Sequence, residues 1–336
     1  MAVAYRLMHP DEEPALYDFF LATYTAYPGE GLQNYWTWKS LPAHSTRTYV
    51  ALDPDQGILA TVVTWYRHVR DARGTPRRVG HVSHVVTRAD ARRQGHASHL
   101  VDQAITVMQH DRCTWSTLLT ASVTGRPLYE RYGWRSLAMP FWRGRLTGDL
   151  PTLPEAGYRV QQYDPTQEAD GWAILAAIYA EYNLFRSLSV VRDEPYWDTV
   201  TAAQLADGLT TGRVVLLTAH HPAGIGSPCG YVLLHLYDEA FLVSEIGVRS
   251  SDEAANLALL AAAAQAARQH GAIDGEWLLP RTAAITATLE GLCGDTLQQV
   301  ETDFIMARPI APDVTIDHLA AIFTAPGAIW WRLDMI

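Results

Sequence analysis

The segment from Val82 to Leu100 constrains the fold of this chain more than any other. It begins as an apolar run typical of a buried strand, passes through a basic, glycine-containing turn at 88–95, and continues in a helical pattern. A helix that begins after such a turn presents unpaired backbone N–H groups and the positive end of its dipole, which attract a polyanion. Small residues at Gly95 and Ala97 let the backbone approach a phosphate closely. The segment therefore predicts a pyrophosphate-binding turn.

The spacing Arg92-x-x-Gly95-x-Ala97 resembles the acyl-CoA signature of the GNAT N-acetyltransferases, which is commonly written R/Q-x-x-G-x-G/A. A second motif follows in the order found in that family, because Leu128-Tyr129-Glu130-Arg131-Tyr132-Gly133-Trp134 is similar to its LYerxGF element. The alternative is an ordinary strand-turn-helix unit with solvent-exposed arginines, since a short pattern alone has limited specificity. The resemblance implies an α/β (α+β) fold with a mixed, twisted sheet flanked by helices.

The same resemblance implies acetyl-CoA as co-substrate and assigns residues to it. The strand before the turn would pair with the pantetheine, the turn and helix start would take the pyrophosphate, and a residue after the next strand would add a contact. The predicted cofactor-binding residues are Val85, Val86, Thr87, Arg92, Arg93, Gln94, Gly95, His96, Ala97, Ser98 and Ser122. Tyr129 matches the tyrosine that protonates the CoA thiolate in many family members, whereas Tyr132 corresponds to a packing position.

Composition and charge narrow the class of protein further. A chain of 336 residues with 48% hydrophobic residues is long enough for two domains, and it has neither a run of about 20 apolar residues nor the start of a signal peptide. We therefore expect a cytoplasmic protein with no membrane partner. The three cysteines are far apart and lack metal-ligand spacing, so no disulfide and no metal site is predicted.

Two pairs of histidines are candidates for metal ligands. His81 and His84 would point to opposite faces of a strand, and His96 and His99 would share one face of a helix. Because a pair lacks the third and fourth ligands of a typical zinc site, the histidines do not change the expectation of a protein without metal.

The charge is unevenly distributed along the chain. Residues 1–147 carry 17 Lys+Arg and 12 Asp+Glu, a net charge of +5, and the remainder carries −15. The basic part suits CoA, and nucleic acid is excluded as a partner because the acidic part would repel its phosphates. The acidic part either attracts a cationic amine or only keeps the protein soluble, and both interpretations stay open.

The second half repeats the plan of the first. The first half reads as a helix, two or three strands, the turn, a helix, a strand at Trp115–Thr120, a short helix at Pro127–Tyr132 and a last strand near Met139–Gly144. When Arg249 is matched to Arg88 without gaps, Glu253 falls on Arg92 and Asn256 on Gly95. A carboxylate beside a pyrophosphate is unfavourable by about 1 kcal/mol or more.

We therefore predict tandem GNAT folds, of which only the first binds the cofactor. The predicted domains are a catalytic domain at 1–147, a degenerate domain at 148–310 and a C-terminal arm at 311–336, with a linker rich in proline and glycine after Thr147. This plan is more similar to the Eis-like aminoglycoside and lysine N-acetyltransferases than to the mycothiol synthases, which rely on their second unit. The tail after Pro309 is shorter than the sterol-carrier-like third domain of Eis, so neither its hexamer nor its substrate breadth is carried over, and a homo-oligomer stays open.

The chemistry follows from that resemblance. Acetyl transfer needs a deprotonated amine, a positioned thioester and a proton for the leaving thiolate. In Eis-like proteins the C-terminal carboxylate enters the active site, so either the carboxylate of Ile336 or water takes the proton of the amine. Of the aromatic residues Tyr24, Tyr27, Trp36 and Trp38, we select Tyr27 and Trp36 as contacts for an organic cation.

The sequence thus predicts an N-acetyltransferase that acts on a small cationic amine such as an aminoglycoside, a polyamine or a lysine-like acceptor. Two other functions stay open. One is an acyl-CoA sensor without catalysis, and the other is a biosynthetic acetyltransferase like the mycothiol synthases, which would need cofactor in the second half.

Overall fold

The computed structural model describes residues 2–23, 36, 45–147, 157–168, 170–197, 205, 208–221, 226–249, 253–302, 304–331 and 334. The strands are β1 (Ala4–Leu7), β2 (Ser45–Asp53), β3 (Gly57–Arg70), β4 (Pro76–Thr87), β5 (Trp115–Leu119), β6 (Arg135–Ser136), β7 (Met139–Arg145), β8 (Arg159–Gln162), β9 (Val214–His220), β10 (Gly230–Leu236), β11 (Ala240–Val248), β12 (Asp274–Trp277), β13 (Gln298–Thr302) and β14 (Ile305–Pro309). The helices are α1 (Glu13–Thr23), α2 (His96–His110), α3 (Arg126–Arg131), α4 (Gly171–Asn183), α5 (Glu253–Gln269), α6 (Ala283–Cys293) and α7 (Ile316–Thr324).

The strands form two seven-stranded sheets with the same plan. The first has the order β1-β2-β3-β4-β5-β14-β6, and the second, read in the same direction, has the order β8-β9-β10-β11-β12-β7-β13. Each sheet contains one parallel pair, β4 with β5 and β11 with β12, beside antiparallel neighbours. Two mixed sheets flanked by helices confirm the predicted fold class.

The two sheets exchange one strand, which the sequence did not predict. β7, expected to finish the first sheet, lies between β12 and β13 of the second, and β14 lies between β5 and β6 of the first. An apolar pattern identifies a strand but not its neighbours, because backbone hydrogen bonds are the same for either partner. Side-chain packing does distinguish the two sheets, because a Cβ at Gly144 in β7 would lie only 2.9 Å from the Cβ of Cys293. A glycine is therefore needed where β7 passes this residue.

The compact units follow this exchange. The first unit comprises Met1–His68, Arg77–Leu137 and Asp303–Ala320, and the second comprises Val69–Pro76, Ala138–Thr302 and Ala321–Ile336. The observed boundaries therefore differ from the predicted ones after residues 147 and 310. The tip of the β3–β4 hairpin belongs to the second unit, and the predicted C-terminal arm is divided, with residues 311–320 in the first unit and 321–336 in the second.

Each unit has its own apolar core. In the first unit, α2 packs on the sheet through Leu100, Ala104 and Met108, and Trp134 and Met306 are completely buried with them. In the second, α4 and α5 pack on the sheet around side chains that include Trp277 and Trp331. Within the described ranges, no helix combines the length and the apolar character that a membrane crossing requires.

Candidate active site

The first sheet opens between β4 and β5. The two strands pair in parallel from Val79–Val82 to Trp115–Leu118, and β4 then continues to Thr87 whereas β5 ends at Leu119. The predicted strand residues Val85, Val86 and Thr87 lie in the part of β4 beyond that parallel ladder. An extended ligand in this opening would find backbone N–H and C=O groups in the geometry of a neighbouring strand.

β4 departs from strict alternation near His84, and we describe this irregularity as a bulge because of its backbone conformation. His84 has φ +47°, the left-handed region that non-glycine residues rarely adopt. Because the bulge breaks the period of two, His81 and His84 are on the same side of the strand, with ring centroids 6.3 and 6.4 Å from that of Trp65. The prediction that they point to opposite faces is therefore wrong.

The turn after β4 has the backbone that the motif predicts. Gly95 has φ +88°, so a side chain there would be strained, and a Cβ built on it meets no atom within 4 Å. The next residue begins α2, a helix of 15 residues. Arg92, Arg93 and Gln94 are exposed in front of that helix. A long helix start, an open glycine and two guanidinium groups fit a pyrophosphate.

The three residues after Gly95 have different surroundings. The side chain of His96 is buried, and its Nδ1 lies 2.8 Å from the hydroxyl of Tyr5. Only the backbone of His96 can therefore serve the turn, while Ala97 is half-buried. The hydroxyl of Ser98 accepts a hydrogen bond of 2.5 Å from Arg131. That contact connects the pyrophosphate turn to the second motif.

The second motif forms the short helix α3. Its two tyrosines differ, because the hydroxyl of Tyr132 donates to the carbonyl of Ser98 at 2.9 Å, as expected of a packing residue. Tyr129 is half-buried, and its ring packs edge-on against Trp134 with centroids 6.3 Å apart. A groove of about 420 Å³ runs along α3 and is lined by Ala121, Val123, Arg126, Pro127, Glu130 and Phe304.

Ser122 has a structural role in the loop before α3. Its hydroxyl accepts a hydrogen bond of 3.0 Å from the backbone N–H of Gly125 and lies 3.1 Å from the hydroxyl of Thr124. Ser122 is exposed, so the same hydroxyl remains accessible to a ligand. The loop is therefore held in shape by the residue that we predicted as a cofactor contact.

An aromatic cluster lies on the side of β4 that carries His84. Trp36 packs edge-on against Tyr17 and Phe20, with centroids 5.1 and 6.2 Å apart, and Phe20 lies 5.5 Å from the ring of His84. Trp36 thus lies in one cluster with the bulged histidine. Tyr24, Tyr27, Trp38 and Ile336 lie outside the described residues.

His81 is a candidate residue that sequence reasoning missed. Its Nδ1 lies 3.0 Å from the hydroxyl of Thr117 on β5, so it bridges the two strands just before they separate. Burial, with the nearby positive charge of Arg67, lowers the pKa of His81 to about 3, which keeps the ring neutral at physiological pH. The sequence feature that could have indicated this residue was the presence of two histidines in one apolar strand. Their placement on one side of the strand depends on the bulge, which the sequence pattern does not show.

Acidic ligands for a metal are not gathered anywhere in this part of the chain. Among the residues that the structure describes, no group of three or more His, Cys, Asp or Glu side chains is arranged to hold a metal ion. His96 and His99 share a face, as predicted, and both rings pack near Tyr5, with centroids 5.8 and 4.0 Å from it.

The second unit has the same backbone geometry with different residues. β11 pairs in parallel with β12 from Ala240 to Val243, and a bulge follows, because Glu245 and Val243 pair with consecutive residues of β10. Glu245 therefore occupies the position of His84. This register agrees with the gapless match of the two halves, which places Asn256, an amide-bearing and largely buried residue, where the first unit has Gly95.

The comparisons with known proteins agree with this geometry. Residues 4–137 match the sequence profile of a family described as "Acetyltransferase (GNAT) domain". Among curated proteins, none matches the chain at a significant level.

Solved structures with a similar fold cover most of the chain. A conserved protein from Enterococcus faecalis V583, described as a probable N-acyltransferase, superposes with a TM-score of 0.71 at 17% identity, over 92% of this chain and 73% of its own. Eis1 from Mycobacterium abscessus gives a TM-score of 0.61 at 16% identity, over 92% and 74%. A tandem GNAT protein from the clavulanic acid biosynthesis pathway gives 0.54 at 12% identity, over 93% of this chain and 100% of its own. Residues 4–137 thus form an acetyltransferase (GNAT) domain, which makes the chain an acyltransferase, and the fold of the chain is similar to that of a tandem GNAT protein.

Proposed function

We propose that the first unit transfers the acetyl group of acetyl-CoA to the primary amine of a small cationic acceptor. The observation that carries this proposal is the opening between β4 and β5, which leads directly into the turn at Gly95 and the start of α2. Acetyl-CoA supplies an activated thioester. The amine attacks the carbonyl carbon, a C–N bond forms, the C–S bond breaks, and the CoA thiolate leaves with the electron pair.

The strand and the turn bind the two ends of the cofactor. Backbone groups of Val85, Val86 and Thr87 pair with the pantetheine as a neighbouring strand would. Backbone N–H groups from Arg93 to Ser98 take the pyrophosphate, together with the guanidinium groups of the turn. Ser122 contributes a hydroxyl from the loop that follows β5.

Tyr129 supplies the proton for the leaving thiolate. A phenol with a pKa of about 10 protonates a thiolate of similar basicity at little cost in free energy. Tyr132 does not compete for this role, because its hydroxyl donates to the backbone of Ser98. The position of Tyr129 on the same short helix, but with its ring against Trp134, supports the assignment.

The amine is recognised by aromatic rings and gives up a proton. Trp36 and Tyr27 provide faces for a cation, and the bulge adds the imidazole of His84 to the cluster around Trp36. The proton goes either to the C-terminal carboxylate of Ile336 or to water. Removal of Met335 and Ile336 separates these routes, because it moves the carboxylate without changing the acetyl-CoA site.

Calorimetric titration with acetyl-CoA tests whether the chain binds the cofactor and whether only one of its two units does so. We expect one site per chain. Two sites would contradict a second unit without cofactor, and none would contradict the proposed function. Amines are then screened with an aminoglycoside, a polyamine and lysine, and turnover that persists undiminished in Tyr129→Phe would exclude Tyr129 as the proton donor. A chain that binds acetyl-CoA but turns over none of these amines would be a sensor.

A further inference from the structure

A charged groove of about 600 Å³ lies on the second sheet. It is formed mainly by β7 and β12, which pair antiparallel from Arg145 with Asp274 to Trp142 with Trp277. The side chains in the groove that matter here are Arg143, Arg145, Tyr237, Leu242, Asp274 and Glu276. All of them belong to the second unit, so the groove is a feature of that unit alone.

The glycines of the two strands show in which direction the charged side chains point. A Cβ at Gly144 would lie 2.9 Å from the Cβ of Cys293, and a Cβ at Gly275 would collide with the ring of Phe241; both neighbours are buried in the core. Successive side chains of a strand point to opposite faces, so the residues on either side of each glycine face away from the core. They are Arg143, Arg145, Asp274 and Glu276, whose side chains are between 42% and 58% exposed.

The charges on this face are separated by strand. β7 carries two guanidinium groups and β12 carries two carboxylates at the paired positions. Nη2 of Arg143 lies 2.5 Å from Oε1 of Glu276, and Nε of Arg145 lies 3.6 Å from Oδ1 of Asp274. The face therefore has a positive column on β7 and a negative column on β12, one strand spacing of about 4.8 Å apart.

This pattern is complementary to itself about one kind of two-fold axis. An axis that lies above the face, between β7 and β12 and parallel to them, places the positive column of one copy opposite the negative column of the other. Each arginine then faces a second carboxylate, so that the two ion pairs of each chain join a network. An axis perpendicular to the strands would place arginine opposite arginine, which is unfavourable.

The groove also offers apolar surface beside the charges. Tyr237 is 46% exposed, and Leu242 lies on β11 beside Glu276. Aromatic residues are enriched at protein interfaces, where they add buried area next to polar contacts. A partner with charge of one sign fits this face poorly, because a polyanion would meet the carboxylates and a polycation would meet the arginines. A second copy of the chain carries both charges in the required arrangement.

Isolated exposed ion pairs contribute little to the stability of a fold, whereas a network of several charges contributes more. We propose that the charged groove is the surface through which two copies of this chain form a symmetric dimer, with β7 of each copy opposite β12 of the other. This dimer goes beyond the proposed acetyl transfer and does not depend on it.

Analytical ultracentrifugation of the full chain at about 1 to 100 µM measures the dimer directly, because association depends on the concentration of the chain. We expect the parent chain to be dimeric in this range. The dimer should dissociate as salt is added, because the facing charges lie at an exposed surface and are screened.

Two charge-reversed variants test the face. Arg143→Glu with Arg145→Glu makes both columns negative, and Asp274→Arg with Glu276→Arg makes both columns positive. Each variant alone should be monomeric, with a dissociation constant at least about a hundredfold above that of the parent, because like charges then face each other across the axis.

The matched control is Arg159→Glu with Arg249→Glu. It makes the same change in net charge within the same unit, at an exposed residue of β8 and at a partly exposed ion pair with Glu181, and neither arginine lines the groove. The control should dimerise like the parent. Circular dichroism checks that every variant folds, and where a double variant does not, Arg145→Glu or Asp274→Arg alone replaces it, since both side chains of that pair are more than half exposed.

Mixing the two charge-reversed variants separates the interface from effects within one chain. In a mixed dimer the new glutamates of one variant face the new arginines of the other, and the unchanged columns also face opposite charges. Each substitution changes the net charge by two, so −10 becomes −14 in one variant and −6 in the other, and general attraction between the variants is excluded. Native mass spectrometry, which distinguishes the variants by mass, should show a one-to-one mixed dimer.

Three results would overturn the proposal. One is a parent chain that stays monomeric throughout the concentration range. Another is a parent dimer that persists in both charge-reversed variants, because the interface would then lie elsewhere. The third is a pair of folded monomeric variants that form no mixed dimer, because the loss of dimer would then come from changes within each chain.

Discussion

Gly95 offers the sharpest test of the acetyl-CoA site, because two effects of its replacement can be separated. Its φ of +88° lies in the left-handed region, where any other residue pays about 1–2 kcal/mol of backbone strain. A Cβ there meets no other atom within 4 Å, so Gly95→Ala introduces that strain without a steric clash. Gly95→Glu introduces the same strain together with a negative charge at the turn.

The negative charge of the glutamate sets the expected loss of affinity for acetyl-CoA. Two unit charges about 4 Å apart in a water-like environment interact by about 1 kcal/mol, so a glutamate beside the two charges of a pyrophosphate costs about 2 kcal/mol. This corresponds to roughly 30-fold weaker binding of acetyl-CoA. Because the turn is exposed, the penalty should shrink as salt is added.

Titration calorimetry of acetyl-CoA into both variants measures the difference. Gly271→Glu is the matched control, since Gly271 also has a positive φ, +92°, and no atom within 4 Å of a built Cβ, but belongs to the second unit. It should bind acetyl-CoA like the parent chain. Equal affinity in Gly95→Glu and Gly95→Ala would refute the pyrophosphate assignment of this turn.

Three further predictions follow from the site and the sheets. Tyr129→Phe should lower kcat by about tenfold or more with little change in KM for acetyl-CoA, whereas Tyr132→Phe should mainly lower the melting temperature; the reverse pattern would exchange their roles. The pKa of His81, about 3 in the folded protein against about 6.5 unfolded, means that the unfolded state binds an extra proton between these values, so stability is present above pH 6.5 and is lost as pH falls towards 3. Urea titrations at pH 7 and pH 5 should therefore show that the free energy of unfolding falls less in His81→Gln than in the parent. An equal fall in both proteins would contradict the burial effect. A fragment of residues 1–147 should stay unfolded by circular dichroism, because its first sheet lacks β14, and a cooperative melt would contradict this.

The sequence predicted the structure best at positions where the backbone conformation allows only one type of residue. Gly95 is required by a positive φ, and the apolar run before it can only be a strand, so the turn and its neighbours were predictable. The likeness of the two halves was predictable too, because the gapless match at Arg88 and Arg249 reproduces the observed register of β4 and β11.

The exchange of β7 and β14 was not predictable from alternation. Each strand has the right pattern for either sheet, and the choice depends on side-chain fit such as that of Gly144 against Cys293. The bulge at His84 was hidden for a related reason, since one unpaired residue leaves the apolar pattern unchanged while it reverses the side on which later residues lie.

The buried ion pairs of Arg192 with Glu245 and Asp334 were missed because these residues are far apart in the chain. Arg192 lies in a segment between secondary-structure elements, Glu245 in a buried strand, and Asp334 near the chain end. A charged residue in the middle of an apolar strand was the available signal, because such a residue is rarely buried without a partner.

Both units have a bulge in one strand of the parallel pair, and the residue at the bulge differs between them. The bulge points one side chain inward at a fixed place beside the point where the sheet opens, and the chain fills it with imidazole at His84 and with carboxylate at Glu245. The same position of the sheet therefore carries an imidazole in the first unit and a carboxylate of an internal ion pair in the second. A repeated unit can in this way acquire a different buried side chain, with different partners, while the course of its strands stays the same.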